Sequence, residues 1–399
     1  MTLRRMLLAG GGSSFVLPPV AFQFTSPPNG GWPALSGAFY AGGLTHFGWI
    51  DGSGNIEAAT YDHATQTVGS IATIRASLGT DHHNSPDLLR RSSDGRIVAV
   101  YCAHDGPTIF RKISTNPDDI SAWGSEASLD ASLGGSQYTY PRLFELSSES
   151  KLYLTYRDVS GGAGRLCFST SSDDGDTWAA QTVLFSVAGK ASYTRAISNG
   201  VDRLDFVATD GSGGTTSAYH WYYEGGSYYK SDGTLISASP PFGTADVTKI
   251  YDGASAGVRY AAALITNGGL PVAGLVTQPG GSPPNDYRYL RWTGSAWDDH
   301  LIVGSGHDPG SPMFEGGFAL ATADLAYISR YVSAQWQVFR YTTSDDGATW
   351  SAMQLTSTTD PSFYPIPIRD YGSGLRALWL SGPTFTSQTN FSLAIYGGY

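Results

Sequence analysis

Apolar residues fall in short alternating runs punctuated by Gly, Asn, Asp and Ser, and the spacing of an amphipathic helix is almost absent. Alternation with period two predicts half-buried strands, so the pattern predicts a nearly all-β chain. One strand type recurs, anchored at Ile56 in NIEAATYD, Ile97 in RIVAVYCAH, Leu152 in KLYLTYRD, Leu204 in RLDFVATD, Leu270 in LPVAGLVT, Leu325 in LAYISRY and Leu375 in LRALWLSG. The anchors are 41, 55, 52, 66, 55 and 50 residues apart. That period suits four-stranded propeller blades, and seven anchors predict a seven-bladed β-propeller.

Most units continue into a second strand rich in aromatics or Arg, as in RLCFSTSSDDGDTW, SAYHWYYEGGSYYK, DYRYLRWTGSAW and WQVFRYTTSDDGATW, read as the third strand of a blade and its turn. A pair of β-sandwiches or a β-helix explains the alternation but not so long a period. Two segments fit the Asp-box hairpin: Ser171-x-Asp173-x-Gly175-x-Thr177-Trp178 and Thr343-x-Asp345-x-Gly347-x-Thr349-Trp350. There the carboxylate and hydroxyl bond the turn's own backbone and Trp packs beneath it, which makes these aspartates structural rather than catalytic. The propeller is placed over residues 39–399, preceded by an extended N-terminal arm over 1–38.

Composition narrows the function classes. Of 399 residues 50 are Gly, and charged residues are only 15%, so the chain reads as turn-rich and folded. A net charge of -10 argues against binding nucleic acid or an anionic membrane by charge, and any polyanion must meet a local basic pocket. No apolar run is long enough to span a bilayer. Cys102 and Cys167 offer neither a disulfide framework nor a CxxC spacing, and their apolar neighbours predict burial. Arg4 and Arg5 before Met6-Leu7-Leu8-Ala9 resemble the start of a signal peptide, but the apolar run stops at Gly10. The preferred reading is an arm attaching the propeller to a larger assembly.

In a propeller the first strand of each blade lines the central channel, and loops at one face share a cleft. Blade 2 opens with Asp81-His82-His83-Asn84-Ser85-Pro86, and its next strand ends in Tyr101-Cys102-Ala103-His104; blade 3 opens with Tyr138-Thr139-Tyr140-Pro141, and its next strand ends in Tyr156-Arg157-Asp158. Two neighbouring blades thus put titratable groups at equivalent ends of their first two strands. Singly, a His is usually a hydrogen-bonded structural residue and a Tyr before Pro is usually packing. Together, a His pair, a Tyr and an Arg make an acid/base set with an anion clamp.

These phrases, with ISAWGSEASLD, YTYPRLF, VDRLDFVATDG, YRYLRWTGSAWDDH and LRALWLSG in order from about Trp49 onward, resemble the BNR-repeat polysaccharide lyases of the ulvan-lyase type. The resemblance implies a seven-bladed propeller that cleaves a uronic-acid-containing polysaccharide by β-elimination. It implies catalytic His83, His104, Tyr140 and Arg157, with Arg195 and Asn84 on the substrate side. Arg157 would neutralise the uronate carboxylate, His83 and Tyr140 would share proton removal and delivery in either order, and His104 would hold the carboxylate or orient its neighbour. After Thr209-Asp210-Gly211, where relatives often carry His, stand Ser212-Gly213-Gly214, so no metal is expected, and elimination needs no other cofactor. The implied partner is an acidic polysaccharide, and the implied location is extracellular or on a virion such as a phage tail.

Two other classes compete. Sialidases and related glycoside hydrolases share Asp boxes, but the early Arg-Ile-Pro of a sialidase is missing. A non-catalytic glycan-binding or attachment propeller would need the same groove without the chemistry. Gly253-Ala254-Ser255-Ala256-Gly257 matches GxSxG, but no helix pattern follows to form a nucleophile elbow.

Overall fold

The computed structural model of the protein describes residues 20–24, 31–32, 37–212, 214–281, 283–308, 317–370, 374–387 and 390–398. Their strands form seven antiparallel sheets, the blades of a β-propeller. The innermost strands, Ala38–Ala41, Asp87–Arg90, Tyr138–Leu146, Thr194–Ser198, Ala256–Asn267, Phe318–Thr322 and Ser362–Pro367, touch in that order around the axis. A bridge from Phe39 to Arg369, just past the last of these strands, closes the ring. Helical structure among the described residues is confined to short turns such as Asp130–Leu133.

The second strand of a blade is covered on both faces, which explains its unbroken apolar reading: every residue of Ile97–Cys102 is buried. Aromatic stacks join the blades. Trp221 of blade 4 lies between Phe206 and Phe185 of blade 3, at 5.3 and 5.1 Å between ring centroids. Cys102 and Cys167 are buried as expected, and burial pushes the Cys167 thiol up to about 12, which leaves it unreactive.

One anchor needs correction. In blades 2 to 7 the recurring strand is second from the axis, but in blade 1 that place belongs to Leu44–Asp51, and Ile56–Asp62 is the third strand. Both are almost wholly buried, so the apolar pattern could not rank them.

Most of the expected arm, residues 1–38, including the signal-like stretch 4–9, lies outside the described residues. Within it, Val20–Phe24 pairs with Asn390–Gly398 as the outermost strand of blade 7, and Gly31–Trp32 pairs with Leu44–Asp51. Among the described residues, an N-terminal and a C-terminal strand thereby share blade 7, which ties the last blade to the N-terminal region.

The two hairpins with the Ser/Thr-x-Asp-x-Gly-x-Thr-Trp pattern join the third and fourth strands of blades 3 and 6. Asp173 accepts from Ser171 Oγ and Thr177 N at 2.8 Å each, and Trp178 Nε1 donates to the Gly175 carbonyl at 3.2 Å. Asp345 and Trp350 repeat the arrangement. The Gly253–Gly257 match leads into the strand Ala256–Asn267; a Cβ on Gly253 would lie 1.9 Å from the Thr216 carbonyl oxygen, so that glycine serves close backbone packing.

Candidate active site

Successive antiparallel strands place the loop before each inner strand and the loop between the second and third strands on the same face. His83, His104, Tyr140 and Arg157 all occupy that face on blades 2 and 3, opposite the two hairpins.

The loop before blade 2 is a short 3-10 turn, His82–Asn84, capped by Asp81. The Asp81 carboxylate accepts from the His83 backbone N–H at 2.9 Å and from His83 Nδ1 at 2.5 Å through one oxygen, and from His104 Nδ1 at 3.3 Å through the other. Burial alone would raise the Asp81 carboxyl, but the hydrogen bonds from His104 and His83 reverse this and hold it well below the usual carboxylate range. The rings of His82, His83 and His104 form a stack, His83 to His104 at 3.8 Å and 19°, His82 to His83 at 3.9 Å and 28°. His83 in the middle has a side chain only 3% exposed, and His104 on the outside is 30% exposed.

Blade 3 supplies the other half. Thr139 pairs with Arg157 across the first two strands, but the register then slips, and Tyr140 adopts φ +59°. The bulge turns the Tyr140 ring toward the histidines, 5.7 Å from His83, and under Arg157, whose guanidinium carbon is 4.9 Å from the ring centroid. Tyr193, just before the inner strand of blade 4, covers Arg157 from 5.7 Å. Arg157 Nη2 donates to Asp105 at 3.2 Å, while its buried Nε has no hydrogen-bond partner among the described residues. Burial works against the charge on Arg157, but the facing Tyr140, Tyr193 and Asp105 outweigh it and raise its pKa. Asp105 is fixed in turn by Thr139 Oγ1 at 2.5 Å. Asp158, next to Arg157 in the chain, pairs instead with Arg165 at 2.6 Å.

The four residues expected to act together are therefore together, and the two expected on the substrate side stand differently. Asn84 is buried: its amide donates to the Gly79 carbonyl at 2.7 Å and its oxygen accepts from His104 N at 2.7 Å, so it ties the two loops. Arg195 lines the central channel, a cavity of about 1110 Å³, and donates to the carbonyls of Ala262 and Thr194. Tyr140 borders this channel; His83, His104 and Arg157 do not line it.

Asp81, His82 and His83 each offer a ligand atom within 4.8 Å of the others, a group that could hold a metal ion. The fit is poor. Stacked rings send their lone pairs side by side rather than toward one centre, and Asp81 is already engaged by His83 Nδ1.

Sequence reasoning missed Asp81, Asp105, Thr139 and Tyr193 as parts of the site. Asp81 and Thr139 stood inside the motifs already singled out. Tyr193 had only its place before an inner strand, equivalent to that of His83 in blade 2, as a signal.

The BNR repeat-containing family matches the chain over residues 44–303. No curated protein matches it. Among solved structures it is similar to an ulvan lyase of polysaccharide lyase family PL25, at 15% identity and a TM-score of 0.73, over 96% of this chain and 95% of that one. The structure of a PL25 ulvan lyase bound to -[GlcA(1-4)Rha3S]- superposes with a TM-score of 0.72 at 15% identity and the same coverage. The polysaccharide lyase Uly1 aligns at 11% identity and a TM-score of 0.62, over 95% of this chain and 99% of that one. At such identities the likeness is one of fold.

Proposed function

The chain belongs to the BNR repeat-containing family, and from the groups gathered on blades 2 and 3 we propose that it is a polysaccharide lyase cleaving a uronic-acid-containing polymer by β-elimination. The observation that carries this reading is Arg157: a guanidinium with a 10% exposed side chain, set between two tyrosine rings, with Nη2 on Asp105, Nε without a hydrogen-bond partner among the described residues, and a carboxylate-anchored histidine pair alongside. Elimination at a uronate removes the C5 proton and moves that electron pair toward the carboxylate, so the clamp must stabilise charge that appears only in the transition state. An arginine that cannot be deprotonated suits this.

In this reading Arg157 receives the uronate carboxylate, and His104 orients its stacked neighbour His83. His83 takes the C5 proton, the C4–C5 double bond forms as the C4–O4 bond breaks, and the Tyr140 hydroxyl protonates the departing O4. Each proton transfer to a positioned group contributes roughly 10²–10⁴-fold. The similarity to an ulvan lyase bound to -[GlcA(1-4)Rha3S]- makes a polymer of glucuronate and sulfated rhamnose the first substrate to try. A polymer of that size is met outside a cell or at a virion surface, and no helix among the described residues is long and apolar enough to cross a membrane.

The test is a panel of uronate polysaccharides, including one with that repeat, followed by near-ultraviolet absorbance. Product absorbing there, from at least one polymer, supports elimination. Shortened polymer without absorbance is hydrolysis and contradicts it; binding without shortening makes this a glycan-binding propeller.

A further inference from the structure

For an imidazole to take a proton from a sugar carbon, one ring nitrogen must be unprotonated and must face the sugar. Neither His83 nor His104 fixes this alone. Both aim Nδ1 at the same carboxylate, His83 at 2.5 Å and His104 at 3.3 Å, on separate oxygens of Asp81. An ionised carboxylate only accepts hydrogen bonds, so each Nδ1 must carry a hydrogen. In a neutral ring that leaves the lone pair on Nε2.

The stack adds direction. With the rings 3.8 Å apart at 19° and both Nδ1 atoms turned to one residue, each Nε2 lies away from Asp81. Asp81 is itself well held: its backbone N–H donates to the Gly79 carbonyl at 3.1 Å, its carbonyl accepts from Asn84 N at 3.0 Å, and its side chain caps the turn through the His83 N–H. Asn84 keeps the far loop in place by binding His104 N. The charged and titratable groups facing the pair are Asp81, His82, Tyr140 and Asp105, whose carboxylate lies 3.7 Å from His104 Nε2.

We propose that Asp81 is the positioning residue of this site: one carboxylate that sets the Nδ1–H tautomer of two histidines on different loops and so leaves Nε2 as the basic nitrogen of each neutral ring. The kinetic consequence rests on the lyase reading above; the tautomer assignment does not. Asp81 acts through the two rings.

A cap alone would give Asp81 a purely structural role, and Asp81→Asn separates the two. Asn caps helical turns about as well as Asp, so a cap-only role predicts an almost silent change. As a positioning residue, however, Asn offers one acceptor and one donor where Asp offers two acceptors. One of the two imidazoles must then move its hydrogen to Nε2.

The experiment is nitrogen-15 NMR of the histidine rings in the full chain and in Asp81→Asn, assigned with His83→Gln and His104→Gln, together with steady-state kinetics on the cleaved polymer. The expected result is an unchanged melting temperature, one ring converted from the Nδ1–H to the Nε2–H form, and a kcat lower by about 10²-fold or more with KM little changed. Asp81→Glu, which keeps two acceptors, should regain part of the turnover. If both rings stay Nδ1–H in Asp81→Asn, or if either is Nε2–H in the parent, the inference is overturned whether or not any polymer is cleaved. If the tautomers respond as stated while no polymer yields an unsaturated product, the lyase reading fails and the inference about the rings stands.

Discussion

Arg157 and Tyr140 meet on one side of blade 3, guanidinium carbon 4.9 Å from ring centroid, where regular strand alternation would keep them on opposite faces. Thr139 is the residue paired with Arg157, so in an unbroken ladder its neighbour Tyr140 would point the other way. The slip after Thr139 and the left-handed backbone of Tyr140 re-aim the ring. A non-glycine residue at positive φ is costly, of order 1–3 kcal/mol, and here it lies at the group proposed to move a proton.

Arg157→Lys should lose most turnover and Arg157→Ala more, with the deficit chiefly in kcat, because an ammonium keeps the charge but not the planar fork that grips a carboxylate. The side chain also neutralises Asp105, so a modest fall in melting temperature accompanies the loss. A variant that melts earlier yet cleaves at the parent rate would make Arg157 a brace for Asp105 and remove the clamp from the mechanism.

Tyr140→Phe keeps the ring beneath Arg157 and beside His83 and deletes only the hydroxyl. Turnover should fall by roughly 10²-fold or more, with the melting temperature unchanged. Parent-like kcat in a folded variant would move the acid role elsewhere, with Tyr193 the next group to test.

Trp178→Ala, on the opposite face, should cost about 3–5 kcal/mol of stability, since Trp178 is buried and bonded to the Gly175 carbonyl. Well below its melting temperature the variant should cleave at the parent rate. Unchanged thermal melting would contradict the packing role of the hairpin.

His46 is fully buried, its Nδ1 3.0 Å from Thr60 Oγ1, its Nε2 without a hydrogen-bond partner among the described residues, and its ring stacked on Phe39. Burial, opposed in part by Asp118, pulls its pKa from 6.5 down to about 4. As pH falls from about 6.5 toward 4, the unfolded chain therefore takes up a proton that the folded state refuses, and stability drops across that window by up to about 3 kcal/mol. Melting curves near pH 7 and near pH 5 should show a smaller acid-side loss for His46→Leu than for the parent. Equal losses would mean that His46 is not the group responsible.

The blade period, the all-β character and the four clustered residues were legible because each is a local pattern: Ile97–Cys102 and Lys151–Asp158 announce themselves as short, largely apolar runs, and the loops before and after them carry the polar groups. Blade 1 was misread by one strand, since Leu44–Asp51 and Ile56–Asp62 are equally buried and burial is what the apolar pattern reports. Asp81 and Asp105 were passed over for a different reason. Their roles depend on which loops of different strands face each other, and nothing in the spacing of Asp81 and His104 says that one carboxylate spans both rings. Arg195 matched a motif, but the register of its strand turns it to the channel and to the Ala262 carbonyl.

The central claim is elimination at a uronate by this one site, and the mass of the products tests it most directly. After digestion of a susceptible uronate polymer by the parent protein, each fragment's new non-reducing end should be an unsaturated uronate, lighter by one water than the hydrolytic product, and neither Arg157→Ala nor His83→Ala should generate it. Fragments with saturated, fully hydrated ends, or unsaturated ends made equally well by both variants, would contradict the account.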